Sequence, residues 1–365
     1  MLTISPASNR IAAFSLMLLA CPAAAQTAGE SAVSEPDTAA QPLFASQDTL
    51  AVRIEAPFST LMRERSETEQ LEGTLTYADP SGIEHVLDVK LRTRGIYRRQ
   101  KDTCEFAPIR VNFRKNHVAG TVFAGQDKLK LVTHCENGSD AYEQYVLKEY
   151  LAYKIFNAMT DDSFRARLMH VTYVDSDRDG DSRTRYAFFI EDNDRLAERI
   201  GAGKVEVRQA NFAKLEKNQA GLVAVFEYLI GNTDFSMIRP DQGKDCCHNI
   251  ELFSREPGVY IVIPYDFDFS GIVDAGYAEP HPSLSIRSVV RRQYRGVCAH
   301  NDVIAETVAQ FRRRQASISE LPSAIDGMDD RVRREAEDYI GEFYEDIADA
   351  EAVEDNLLTE CYSAD

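Results

Sequence analysis

In five short stretches between Leu50 and Val132 apolar residues recur at every second position, and from Asp140 the interval lengthens to that of a helix. That change of period limits the fold more than any other feature of the chain. Leu50-Ala51-Val52-Arg53-Ile54 and Gly73-Thr74-Leu75-Thr76-Tyr77 alternate, and Asp79-Pro80-Ser81-Gly82 has the proline-second, glycine-fourth pattern of a type I hairpin turn. Val86 to Leu91, Ile109 to Phe113 and Lys128 to Val132 continue as strands, the last with Lys128 and Lys130 on one face. Asp140 then caps a helix whose stripe is Tyr145, Leu147, Tyr150, Leu151, Lys154 and Ile155, running to about Met159. A hairpin of 169–174 and 185–190 follows. After Ala210 the pattern is helical over 213–229, 302–318 and 328–349, around one strand pair, 250–253 and 259–263. There is no βαβ alternation and no G-x-G-x-x-G after a strand. The expectation is an α+β chain in two lobes, β-rich over 47–210 and α-rich over 211–365.

The N-terminus reads as an export signal. Met1 to Arg10 is polar with one positive charge, Ile11 to Cys21 is apolar and uncharged, and Ala23-Ala24-Ala25 before Gln26 fits the signal-peptidase rule. Residues 1–25 are expected to be removed after Ala25, which places the mature chain in the periplasm or medium; a lipid-modified Cys21 is the rival reading. Elsewhere no stretch reaches the roughly 18 uncharged apolar residues of a membrane helix, so no integral membrane segment is expected after cleavage. Residues 26–46, rich in Ala, Ser, Thr, Glu, Pro and Gln, cannot bury enough surface to offset their ordering entropy and read as a disordered linker.

The formal charge of −18 argues against a nucleic-acid partner, since a duplex binder needs a concentrated basic face. The two basic runs, Arg98-Arg99-Gln100-Lys101 and Arg312-Arg313-Arg314, read as solvated faces. Beyond Cys21 lie Cys104, Cys135, Cys246, Cys247, Cys298 and Cys361, an even set that in an oxidising compartment implies disulfides. Cys104 is expected to pair with Cys135, and the adjacent Cys246 and Cys247 to bond outward rather than to each other. The run Cys246-Cys247-His248 lacks the spacing of a zinc site. The acidic turn Asp175 to Asp181 resembles half a calcium loop, but Tyr186 stands at the twelfth position and the turn reads as solvated.

Chemistry concentrates in Gly231-Asn232-Thr233-Asp234, Cys247-His248-Asn249 and Pro264-Tyr265-Asp266-Phe267-Asp268. An acid at a helix end, an Asn entering a strand and an acid leaving the next strand can converge at a hairpin. Phosphoryl transfer needs such a set: one carboxylate for the attacking hydroxyl, another with an amide oxygen for the divalent metal on the phosphates.

At these residues the sequence resembles the CotH-like atypical kinases, a family related to the wider protein-kinase-like fold. The resemblance covers most of 85–275 and runs through Arg92-Thr93-Arg94-Gly95, Glu191-Asp192-Asn193-Asp194, Asn232 to Asp234, His248-Asn249 and Asp266 to Asp268. It implies that Asp234 is the catalytic acid-base, that Asn249 and Asp266 are metal ligands with Asp268 a second candidate, and that the cofactors are ATP and Mg²⁺ or Mn²⁺. It further implies Lys130 as the phosphate-contacting lysine and Glu149 as its ion-pair partner, with Lys128 and Arg110 as competitors for the phosphate. The acceptor would be a protein or envelope component. Two features depart from the family pattern: fourteen residues, 235–248, separate Asp234 from Asn249, and no glycine-rich phosphate loop is present. A non-catalytic pseudokinase or envelope scaffold, and a metal-dependent hydrolase built on Asp234, His248, Asp266 and Asp268, are the alternatives.

Overall fold

The structure, a computed structural model, describes residues 42–241, 243–281 and 284–363. The signal segment, its cleavage point, Cys21 and most of the linker lie outside the described residues. Seven strands, β1 (Leu50–Ala56), β2 (Leu71–Ala78), β3 (Glu84–Thr93), β4 (Ile109–Phe113), β5 (Lys128–Val132), β6 (Ala166–Asp175) and β7 (Asp181–Ile190), close into a barrel in the order β1-β2-β3-β4-β5-β7-β6. Neighbours are antiparallel except β6 and β1, which pair in parallel from Leu50 opposite Met169 to Ala56 opposite Asp175. The two-residue alternation does the sorting: Ile54, Leu75, Val89, Val111, Leu129, Val171 and Phe189 fill the barrel, and the residues between them point out.

The remaining strands, β8 (Gly203–Lys204), β9 (Ile250–Ser254) and β10 (Ile261–Pro264), form a sheet in the order β10-β9-β8. The helices are α1 (Pro42–Ala45), α2 (Phe58–Glu64), α3 (Asp140–Met159), α4 (Asn193–Ile200), α5 (Lys217–Ile230), α6 (Asn301–Ser319) and α7 (Asp330–Asp346), followed by α8 (Ala350–Val353). A second core joins Leu151 and Phe156 of α3 and Leu168 and Phe188 of β6 and β7 to Phe226 of α5, Phe311 of α6 and Phe343 of α7. This core spans the boundary expected near residue 210. The described residues form one compact unit of mixed strands and helices.

Three local expectations change. The linker ends early, because Leu43 and Phe44 give α1 a buried side and Arg167 holds the carbonyls of Leu43 and Ser46. The Asp175–Asp181 turn is not simply solvated. Asp175 accepts from Ser59 N and Oγ, and Asp177 from Thr60 N at 2.8 Å, so the turn caps the first amides of α2. Cys104 pairs with Cys135 as expected, but Cys298 pairs with Cys361, and Cys246 is left bonded to its neighbour Cys247.

Candidate functional site

A cleft of about 600 Å³ opens between the outer face of β3, β4 and β5 and the end of the β9–β10 hairpin. One wall is cationic. In the strand register Arg92 stands opposite Arg110, and Arg110 opposite Lys130, so the three cations form a row across adjacent strands. Arg94 extends that wall, and all four residues line the cleft. Like charges placed directly across a sheet repel. Burial, reinforced by Arg94, pushes the Lys130 ammonium down to about 8, and burial with Arg92 and Arg94 pushes Arg110 down. Lys130 Nζ lies 4.5 Å from the centre of the Tyr265 ring. No carboxylate comes within ion-pair distance of Arg92, Arg94, Arg110 or Lys130 among the described residues.

The facing wall is acid and amide. β9 and β10 are in register with Pro264 opposite Ile250, and Tyr265 N continues the ladder by donating to Asn249 O at 3.0 Å. Asn249 and Asp266 therefore sit side by side at the open end of the hairpin. Both have left-handed backbones, φ 52° and 65°, a region that Asn and Asp tolerate best among residues with a Cβ and that recurs at functional sites. Asn249 Nδ2 donates to Asp234 O at 2.7 Å and to Oδ2 at 3.2 Å, which leaves its Oδ1 as the free acceptor. His248 Nε2 donates to Asp234 Oδ1 at 2.8 Å, and its Nδ1 lies 2.5 Å from Asp241 Oδ1. Burial alone would lower the His248 imidazole, but the two flanking carboxylates outweigh it and raise its pKa.

The segment carrying Asp234 is placed by the end of α5. Gly231 caps that helix with φ 65°, Gly271 N donates to Gly231 O at 3.1 Å and Ile272 N to Ile230 O at 3.0 Å. A Cβ on either glycine would collide with the Tyr339 hydroxyl, so the close approach of the Asn232–Asp234 and Asp266–Gly271 segments depends on both. The long insert closes through Ser236 N to His248 O and His248 N to Arg239 O, which brings Asn249 back onto Asp234.

Beneath the cleft lies a buried ionic cluster. Arg98 Nη1 is 3.7 Å from both Glu149 Oε2 on α3 and Asp268 Oδ2 after β10, and Tyr277 donates its hydroxyl to Asp268 at 3.0 Å. Burial and then the mutual repulsion of the acids raise Glu149 well above the usual carboxylate range, and burial with Asp266 pushes Asp268 up to about 7. The loop bearing Arg98 is pinned by the Cys104–Cys135 bridge and by Arg65, whose guanidinium binds the carbonyls of Arg99, Gln100, Cys104 and Glu105.

Among the sequence-derived residues, Asp234, Asn249, Asp266, Asp268, Lys130 and Arg110 all line this one cleft. The expected Lys130–Glu149 pair does not form. Glu149 belongs to Arg98, because the pinned loop delivers the arginine to α3. Lys128 faces Asp194 at 3.9 Å, outside the cleft lining. Glu191, part of the family resemblance, is buried against Arg199 at 2.7 Å and anchors α4. Arg98, read as part of a solvated run, is 8% exposed. Arg92 belonged to the family resemblance without an assigned role, and Tyr277 was missed; only the strand pairing and the fold reveal their positions in the cleft. A larger hollow of about 890 Å³ near α1 and α3 is lined by none of the sequence-derived residues.

Asn249 Oδ1 and the Asp266 carboxylate suit a magnesium-type site, which takes one or two protein oxygens and completes its shell with water and substrate phosphates. Among the described residues no three His, Cys, Asp or Glu side chains form a cage that would hold a metal unaided. Asp268 Oδ2 is already engaged by Tyr277 and Arg98.

No protein-family model matches the chain, and no curated protein does. Among solved structures it is similar to the Helicobacter pylori proinflammatory kinase CtkA, with 11% identity and a TM-score of 0.38 over 68% of this chain and 92% of that one. What the site does has to come from its own geometry.

Proposed function

We propose that the protein is a kinase-like phosphotransferase that binds a nucleoside triphosphate with Mg²⁺ or Mn²⁺ in this cleft. The observation that carries the proposal is the opposition of an unpaired cationic row, Arg92, Arg110 and Lys130, to the Asp234–Asn249–Asp266 group across one cleft. The row supplies charge for the phosphates. Asn249 Oδ1 and Asp266 would hold the metal, which when bound offsets charge on the transferred group. Asp234, with one oxygen bonded to His248 and the other to Asn249, is held in a fixed orientation, where it accepts the proton of an acceptor hydroxyl. The Arg98 cluster ties α3 to the strand end that carries Asp266, and leaves Lys130 for the phosphates. In this reading the chain is an exported member of the CotH-like group acting on a protein or envelope component.

Phosphate transfer and nucleotide binding measured side by side on two variants test the assignment. Asp266→Ala should abolish metal-dependent nucleotide binding, since it removes the charged ligand. Asp234→Asn should retain binding and lose transfer, because the acid meets the acceptor and not the nucleotide. Equal transfer by Asp234→Asn and wild type would refute the role of Asp234.

A further inference from the structure

The cationic wall is larger than one lysine contacting one phosphate, and its layout is specific. The same strand faces carry a second row, one alternation further along, where Lys90 stands opposite Asn112 and Asn112 opposite Lys128. There the cations have partners: Lys90 lies 3.0 Å from Glu72, and Lys128 lies 3.9 Å from Asp194. In the row lining the cleft, Arg92 donates to the Glu67 carbonyl and Lys130 lies over the Tyr265 ring, but no carboxylate among the described residues comes within ion-pair distance of Arg92, Arg110 or Lys130, although the chain carries a net charge of −18 and carboxylates are plentiful. Arg94 Nε and Arg110 Nε are buried without a hydrogen-bond partner. Neighbouring strands lie about 4.8 Å apart, so three cations on three strands spread positive charge along a line of roughly 10 Å. A linear anion with charge at each unit matches such a line, and its phosphate oxygens would fill the vacant donor positions.

We infer that the cleft is a site for a linear oligophosphate, recognised by its phosphates along the Arg92–Arg110–Lys130 row, so that inorganic tripolyphosphate is a ligand in its own right and the nucleoside is dispensable for binding. The inference rests on reading the cleft as a phosphate site. It extends that reading by assigning the recognition to the phosphate chain.

Calorimetric titration of the full chain with magnesium, using ATP and inorganic tripolyphosphate as separate probes and in competition, decides it. Tripolyphosphate should bind within about tenfold of ATP and displace it. Arg110→Gln and Lys130→Gln, two variants so that one misfolded protein does not end the test, should each weaken both ligands by about tenfold or more and to the same extent. Lys90→Gln, in the paired row, should change neither. If ATP binds and tripolyphosphate does not, the inference is overturned while the nucleotide reading stands. If tripolyphosphate binds and ATP does not, the inference stands and the nucleotide reading falls. Binding of neither overturns both.

Discussion

Replacing Arg98 by alanine is the sharpest perturbation of the site's foundation. Arg98, Glu149 and Asp268 are 8%, 1% and 6% exposed, and the guanidinium is the cation shared by both acids at 3.7 Å. Removing the cation from a buried pair costs about 3–5 kcal/mol, because the remaining charge is left uncompensated. For a chain of this size about 2 °C accompanies each kcal/mol, so the transition should fall by roughly 5–10 °C. The loss should depend on pH. Burial already raises both acids, Asp268 to about 7, and loss of the neighbouring positive charge raises them further. An acid with a raised folded pKa contributes stability that is complete below its unfolded pKa and is lost as pH rises through the folded value. The deficit of Arg98→Ala should therefore be small at pH 5 and larger at pH 8, still growing above it. Calorimetry without metal is the assay, since the chain has no tryptophan to report by fluorescence. Arg53→Ala, breaking the exposed pair with Glu55 at 2.6 Å, is the control and should shift the transition by at most about 2 °C. A deficit under about 2 °C at pH 8, or one equal at both pH values, would refute the reasoning.

Three further outcomes are expected. Removing the Cys104–Cys135 bridge as a double serine variant should cost about 4 kcal/mol in the chain-entropy picture for a separation of 31, read as a lowered denaturant midpoint. Glu227 is buried, which pushes it up to about 8 against the pull of its bond from Asn232, so stability should decline as pH rises from 4.5 to about 8. Glu227→Gln should flatten that decline, and melting curves with equal slopes for both proteins would contradict it. Gly231→Ala, strained by φ 65° and blocked by Tyr339, should lose about 1–3 kcal/mol in chemical denaturation.

The strands were legible because each buries one side, and a two-residue repeat records that directly: Ile109–Phe113 and Lys128–Val132 match β4 and β5 residue for residue. Closure of the barrel was not, because the parallel pairing of β1 with β6 is a long-range contact with no local signature. The Asp234, His248–Asn249 and Asp266 segments could be read as a site because each places a chemically able residue at an element's end. The cationic row could not. Arg92, Arg110 and Lys130 become neighbours only once the register of three strands is fixed. Arg98 was misread for a related reason: among adjacent basic residues, sequence does not show which one a disulfide-pinned loop turns inward. Short helices such as α2 and α4 lack the length for a periodic signal, and α2 depends on Asp175 and Asp177 from a distant turn.

The central claim is that this cleft holds a nucleoside triphosphate through a divalent metal. Its most direct test is the shift in thermal transition of wild type and Asp266→Ala on adding ATP with Mg²⁺ or Mn²⁺. At a ligand concentration about 100-fold above the dissociation constant, wild type should gain about 2.7 kcal/mol, a rise of roughly 5 °C, and should gain less when the metal is chelated. Asp266→Ala should show no metal-dependent rise. Wild type unmoved by ATP with either metal, or a rise that Asp266→Ala retains in full, would contradict the account.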